Sequence, residues 1–225
     1  MERRIVPGER IPIDRLALEM GVSRTPIVNA LKRLAQEQVV DWPSHNGVYV
    51  RTLSKRELAR LFEVREVLEG LAARRAAERI SVAEVDELTA MFKGLDLAPS
   101  GPAVQKYIER DQYFHLRLLE LAENAPLTHA VNSVHFMVFT YQLGISRPLT
   151  ETIKEHWAIL AALRKQDPDA SEAAMRLHLR LSRERYDLEA DAEEQHLPLP
   201  RALAARETEA LQSRKRRGST TVSKR

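Results

Sequence analysis

Four side chains in the second half of the sequence could together hold a metal ion. Asp111 and His115 are four residues apart in a helical segment, so both point to the same side of that helix. His156 and His178 lie in two later helical segments, each among apolar residues that would face the inside of the fold. These side chains need partners, because an unpaired polar group buried on such a stripe costs about 1–3 kcal/mol.

One carboxylate and three imidazoles that converge in a helical core form a ligand set for a divalent metal. Nitrogen and oxygen ligands without sulfur suit zinc, nickel, manganese or iron, and zinc is a common choice. A single helical histidine is more often a hydrogen-bonded or surface residue than a ligand, so the spacing alone leaves both interpretations open. We interpret His129 and His135, in the segment between, as surface or packing residues.

The elements that must position these residues are helices. Ser54 with Glu57 has the pattern of a capping box, which marks the start of a helix. From there to residue 190 the apolar residues recur at helical spacing in six segments, and no strand pattern of comparable length appears. We therefore predict a mainly α protein, with an all-α six-helix bundle over residues 54–190.

Residues 1–53 have the pattern of a winged helix-turn-helix. Gly21 can take the positive φ of a tight turn, Ser23 can cap the second helix, and Pro26 suits its first turn. Two β-rich runs follow and flank Asn46-Gly47, and Asn-Gly is the strongest short signal for a hairpin. The sequence predicts a second helix that reads the DNA major groove, although an ordinary surface helix with two basic residues fits that helix alone.

The N-terminal end of this second helix supplies the candidates for base contact. Arg24 and Thr25, with Ser23 and Asn29 beside them, are placed to reach base edges, and Asn29 can pair with adenine. Five other residues suit phosphate contact or are ordinary solvated side chains: Arg10, Arg15, Lys32, Arg33 and the wing residue His45. The buried side of the two helices is predicted to consist of Ile13, Leu16, Ala17, Met20, Ile27, Ala30, Leu31 and Leu34.

Composition narrows the class of protein. The chain has 225 residues, of which 44% are hydrophobic and 30% charged, which is typical of a soluble protein with one large or two small domains. It has no cysteine, which excludes a disulfide framework and a thiolate metal site. No apolar run could span a bilayer and no signal peptide is recognisable, so we expect a cytoplasmic protein without membrane contact.

Residues 191–225 are predicted to form a basic, disordered tail. Eight basic and two acidic side chains lie within residues 201–225, and apolar residues are sparse there. Such a tail either adds sequence-independent attraction to DNA phosphates or is a dispensable extension. We favour the second interpretation, because basic extensions are common at chain ends.

The N-terminal motifs closely resemble the GntR family of bacterial transcription regulators. The resemblance rests on Pro7-Gly8-Glu9-Arg10, on Arg24-Thr25-Pro26 and on the wing, in the right order and spacing over residues 7–50. Val28-Asn29 replaces an Arg-Glu pair whose arginine commonly contacts the operator, which implies a different operator sequence. Gln38 stands where the family has a glycine before the wing. The helix that normally precedes the first motif is almost absent, so either the start is late or the domain is less stable.

Residues 54 to about 190 resemble the FCD domain of FadR-type regulators, in the smaller, vanillate-regulator-like branch. The resemblance rests on Asp111-x-x-x-His115, Glu155-His156 and His178, and in metal-binding members this Asp and the three His ligate the ion. It also implies that Arg65 and Asn124 contact the effector. The implied function is a homodimeric, metabolite-responsive regulator, more often a repressor, that binds operator DNA, a divalent metal and a small organic acid.

Two other functions remain open from the sequence alone. A metal in a helical bundle can activate water or dioxygen, so the alternative is a metalloenzyme acting on a small organic acid. Di-iron bundles, however, need Glu-x-x-His pairs, and Gln112, Ile153 and Met175 stand three residues before the histidines. No Gly-rich phosphate loop or Gly-x-Ser-x-Gly motif is present either. A purely structural metal is the third possibility, and we predict a regulator rather than an enzyme.

Overall fold

The chain begins with a small two-helix domain and continues as a bundle of longer helices. The computed structural model describes residues 5–43, 47–95, 101–141 and 147–195, with 136–141 described as helix only. Two of the predicted features lie outside the described residues: the wing-loop residue His45, and the tail from residue 196 onward.

The N-terminal domain is a helix-turn-helix followed by a short wing. α1 (Ile13–Met20) ends at Gly21, whose φ of 65° provides the left-handed turn that the sequence predicts. α2 (Arg24–Gln36) follows, and β1 (Val40–Asp41) then pairs antiparallel with β2 (Tyr49–Val50). This order of elements confirms the predicted winged helix.

Three local predictions for this domain are wrong. Ile27 and Leu31 are buried as expected, but Ala30 is exposed and Met20 is 65% exposed. Ala30 is exposed because the core of this small domain contacts only a narrow strip of α2. Met20 is exposed because α1 has only two turns, and the last residue of α1 extends past the core. Ser23 occupies the N-cap position of α2, but its side chain makes no capping hydrogen bond.

Gln38 takes a left-handed backbone conformation between α2 and β1. Its φ is 58°, and this conformation costs a non-glycine residue about 1–2 kcal/mol. Glycine would remove the strain but would lose about 0.5–1 kcal/mol more backbone entropy on folding. We expect Gln38→Gly to raise the free energy of unfolding by roughly 0.5–1 kcal/mol in urea titrations. Gln38→Ala keeps the strain and is the control; equal stability of the two variants would contradict this explanation.

The bundle contains six helices within the described residues, which confirms the predicted fold class. They are α3 (Lys55–Ala77), α4 (Val82–Phe92), α5 (Pro102–Leu121), α6 (Ala125–Tyr141), α7 (Leu149–Arg164) and α8 (Pro168–Glu194). Their shared core includes Phe62, Phe92, Phe114, Ile159 and Leu179, one from each helix except α6. None of the described helices combines the length and the apolar character needed to cross a bilayer.

The two longest helices, α3 and α8, pack along each other. The start of α3 lies where the sequence predicts it, whereas α8 extends past the predicted domain border. The capping box of Ser54 and Glu57 begins α3 as predicted. α8 continues to Glu194, so the predicted border at residue 190 falls inside a helix. Arg56 of α3 accounts for part of this extension, because its guanidinium contacts Asp191 of α8.

Candidate metal centre and DNA-binding surface

The four predicted ligands lie together in the bundle. One potential ligand atom from each lies within 4.8 Å of all the others: Asp111, His115, His156 and His178. α5 contributes the aspartate and the first histidine, one turn apart, while α7 and α8 contribute one histidine each. Elsewhere in the described part of the chain, no other group of three or more such residues is close enough to hold an ion.

The Nε2 atoms of two of these histidines are buried without a hydrogen-bond partner among the described residues. They belong to His115 and His156. Asp111 Oδ1 lies 3.8 Å from the first and 3.1 Å from the second, so all three atoms border one small space. A buried donor or acceptor left unpaired costs about 1–3 kcal/mol, and one cation in this space would satisfy both nitrogens. The residues present therefore fit a divalent metal with nitrogen and oxygen ligands.

Each imidazole has an oxygen close to its other ring nitrogen. Nδ1 of His156 is hydrogen-bonded to the carbonyl of Thr152 and Nδ1 of His178 to Glu155 Oε2, both at 2.9 Å. Nδ1 of His115 lies 2.5 Å from Glu69 Oε2, a close contact between the two side chains without the alignment of a hydrogen bond. When Nδ1 carries the proton and donates to an oxygen, Nε2 keeps its lone pair for a metal. Partners of this kind fix the tautomer and the ring orientation of histidine ligands.

Burial and neighbouring groups set the charges at the centre. Burial lowers the pKa of His178 to about 4, so its imidazole is neutral near pH 7, the form that binds metals. Burial alone would raise the pKa of Asp111, but the adjacent imidazole of His156, together with those of His115 and His178, lowers it below its ordinary value. Burial would also raise the pKa of Glu155, yet His178 and Arg147 lower it to about 2. The centre thus pairs an anionic carboxylate with a neutral imidazole.

Asp111 forms the side of the centre nearest to solvent. Its side chain is 22% exposed, whereas His115 and His156 are fully buried and His178 is 6% exposed. The three imidazoles therefore form the closed side of the centre. Metal sites that act on a ligand keep a coordination position accessible, in contrast to closed structural sites.

The two residues that the family resemblance assigns to the effector both have protein partners. Arg65 is buried, its Nε lies 2.5 Å from Glu69 Oε1, and its guanidinium lies over the ring of Phe62. Asn124 precedes α6, and its Oδ1 accepts a hydrogen bond from the Leu127 N–H at 3.1 Å. In this structure Glu69 balances the charge of Arg65, and Asn124 caps a helix.

Glu69 is the residue of this region that sequence reasoning missed. It is buried on α3 and contacts His115, Arg65 and His135, the last at 2.9 Å. His135 is therefore a buried polar partner, whereas His129 is exposed. A signal was present, because Arg65 and Glu69 are four residues apart on the apolar side of α3, and charged groups buried there need partners.

The side chains predicted to contact DNA lie on the surface wherever the structure describes them: Arg10, Arg15, Ser23, Arg24, Thr25, Asn29, Lys32 and Arg33. Arg24 lies 3.2 Å from Asp14 of α1, and both side chains remain largely exposed. A surface ion pair of this kind contributes about 0–1 kcal/mol, so Arg24 can exchange Asp14 for a base or a phosphate.

Comparison with known families finds two matches along the chain. Residues 1–50 match the bacterial regulatory proteins of the gntR family, and residues 60–181 match the FCD domain. The Nta operon transcriptional regulator of Aminobacter aminovorans is 33% identical over 168 residues, which cover 73% of this chain and 79% of that protein. The transcriptional repressor RspR of Escherichia coli is 28% identical over 184 residues, 78% of each chain.

A solved structure has the same fold. Escherichia coli McbR/YncC superposes with a TM-score of 0.63 at 21% identity, covering 82% of this chain and 90% of that one. The two domain matches, the named relatives and the winged helix joined to a helical bundle agree with one another. This chain therefore belongs to the GntR family of bacterial transcription regulators, with an FCD domain behind its winged helix.

Proposed function

We propose that this DNA-binding regulator senses a small organic acid through a divalent metal in its FCD domain and represses transcription as a homodimer. One observation carries the proposal: four ligand atoms within 4.8 Å of one another, with two buried Nε2 atoms that have no other partner among the described residues. A regulator with such a centre in the domain that follows its DNA-binding domain could change its affinity for DNA when a ligand binds at the centre.

Asp111, His115, His156 and His178 would hold the ion. Their donor set suits zinc, nickel, manganese or iron, with zinc a common choice. The ion would supply positive charge and a coordination position for a carboxylate oxygen. The partly exposed side at Asp111 supports entry of a small acid from solvent. Arg65 stays a candidate for effector contact, but it would have to exchange Glu69 for the effector's anionic group.

Asn124 stays a candidate for effector contact as well. Its side-chain oxygen now caps α6, so an effector contact through that atom would compete with the hydrogen bond from Leu127. Loss of a helix cap costs about 1 kcal/mol, which an effector would have to offset.

Two winged helices, one from each subunit of a dimer, would bind the operator together. In a dimer, two copies of α2 face two half-sites of the operator, and affinity depends on the distance between them. Arg24, Thr25, Ser23 and Asn29 are the proposed base contacts, and the exposed position of the described ones supports this role. An acid that alters the packing of the FCD domains would change the distance between the half-sites that the dimer can reach.

The effector should stabilise the protein only while the metal is present. At a concentration 100 times its Kd a ligand adds about 2.7 kcal/mol, or roughly 5–10 °C in melting temperature for a chain of this size. We expect at least one acid from a panel of mono- and dicarboxylic acids to give such a shift with zinc, and none after chelation. The same shift in chelated protein would indicate a structural ion and an effector site elsewhere.

A further inference from the structure

We propose that Glu69 is a positioning residue that orients His115 for the metal and ties the metal centre to α3, the helix that begins at the wing. The proposal rests on the metal site proposed above. Glu69 is 2% exposed, and both of its carboxylate oxygens have contacts, with an Arg65 N–H also reaching Oε2 at 3.5 Å. Oε2 lies 2.5 Å from His115 Nδ1, and Oε1 lies 2.9 Å from His135 Nε2 and 2.5 Å from Arg65 Nε.

The surroundings of Glu69 keep it charged and fixed. The guanidinium of Arg65 lies 2.5 Å from its Oε1, and a positive charge at this distance favours the ionised carboxylate. Both oxygens are engaged, so the carboxylate cannot turn away from His115 without giving up other contacts. An anionic acceptor held in this way keeps the proton of His115 on Nδ1 and leaves Nε2 for the metal.

Glu69 differs from the acceptors of the other two histidines in its place in the fold. Thr152 and Glu155 both lie on α7, which itself carries the ligand His156. Glu69 lies on α3, which provides none of the four ligands. Through Glu69, a helix outside the ligand set is in direct contact with a ligand.

α3 also has a direct connection to the DNA-binding domain. Glu57, in its first turn, lies 2.7 Å from the guanidinium of Arg51, which follows the second strand of the wing. The backbone N–H of Arg51 donates to the carbonyl of Val39 in the N-terminal domain. One uninterrupted helix runs from Lys55, shortly after the wing, through Glu69, so a change in the position of His115 can act on α3 as a rigid element.

The first test compares two buried carboxylates of α3. Glu69→Gln keeps the shape and removes the charge opposite His115, and we expect zinc affinity, measured by chelator competition, to fall about 10- to 100-fold. Glu66→Gln is the matched control, because Glu66 is also buried but contacts Arg180 of α8, at 2.7 Å, instead of a histidine. Its zinc affinity should equal that of the wild type. Unchanged affinity in Glu69→Gln would overturn the positioning role.

A second variant tests whether misfolding causes the loss, because Glu69→Gln removes the negative charge beside the buried guanidinium of Arg65. Arg65→Met combined with Glu69→Gln removes both charges, and it should show the same loss of zinc affinity in a folded protein. If the double variant binds zinc as the wild type does, the loss in the single variant came from Arg65 and the proposal is wrong. Absence of zinc binding in the wild type would instead refute the metal site itself.

Two further measurements distinguish a change in the orientation of His115 from a general loss of protein stability. In protein saturated with cobalt(II), Glu69→Gln should change the visible absorption spectrum, because a reoriented His115 alters the ligand field, and Glu66→Gln should not. Zinc should slow amide hydrogen exchange in the first turns of α3 in the wild type, but not in Glu69→Gln at saturating zinc. Identical spectra, or equal slowing of exchange in both proteins, would overturn the proposal.

Discussion

We expect Arg24→Ala to weaken operator binding strongly and to leave the fold unchanged. Arg24 is the first residue of α2, and its exposed side chain forms a surface ion pair with Asp14. An arginine that reads a base edge is worth about 1–3 kcal/mol, and a dimer loses that contact at both half-sites, roughly 2–6 kcal/mol in total. The lost ion pair contributes about 0–1 kcal/mol to stability, so unfolding is hardly affected.

The measurement is the Kd for a DNA sequence that the protein selects from a random library, at fixed salt. Arg164→Ala is the matched control, because it removes the same charge from a surface ion pair with Asp86 on the FCD domain. Its affinity should equal that of the wild type. If Arg24→Ala binds the selected sequence as tightly as the control does, α2 is not the helix that reads DNA.

We expect His156→Ala to lose the proposed metal from the purified protein. The imidazole is fully buried, and its two nitrogens face the carbonyl of Thr152 and the carboxylate of Asp111. Alanine deletes one of the four proposed ligands from the closed side of the centre. We expect about one metal ion per wild-type chain and close to none per variant chain, measured by elemental mass spectrometry.

His156→Ala also leaves a cavity next to Phe92, whose ring is stacked on the imidazole at 4.6 Å, so metal could be lost through a disturbed fold. Asp111→Asn tests for this indirect effect. The asparagine has the same shape and lies on the partly exposed side, so the fold should persist while the anionic ligand is lost. His129→Ala, at an exposed histidine on α6, should retain full metal content. Full occupancy in His156→Ala would exclude it as a ligand.

The sequence is most informative where a local pattern and the buried surface agree. The spacing of Asp111 and His115 places both on one side of α5, and the apolar neighbours of His156 and His178 orient those helices inward, so the structure brings the four together. Ser54 and Gly21 also mark helix ends, because the capping hydrogen bond of the first and the left-handed turn at the second involve only neighbouring residues.

The features that the sequence does not show depend on contacts between segments that are far apart in the chain. The contact between Glu69 and His135 joins residues 66 positions apart, and no local pattern specifies such a pair. Ala30 and Met20 have helical spacing, but the small N-terminal core has no room to cover them. The family resemblance marks Gln38 as a position that usually holds glycine, but only its φ shows that the glutamine itself adopts a left-handed conformation.

The central claim is that Asp111, His115, His156 and His178 hold one divalent ion in the FCD domain, and X-ray absorption at the metal edge of the intact protein tests it most directly. The account predicts a single site whose spectrum requires three imidazole ligands and carboxylate oxygen, and which loses one imidazole in any preparation of His156→Ala that still takes up metal. A spectrum without imidazole scattering, or one identical in wild type and His156→Ala, would contradict it.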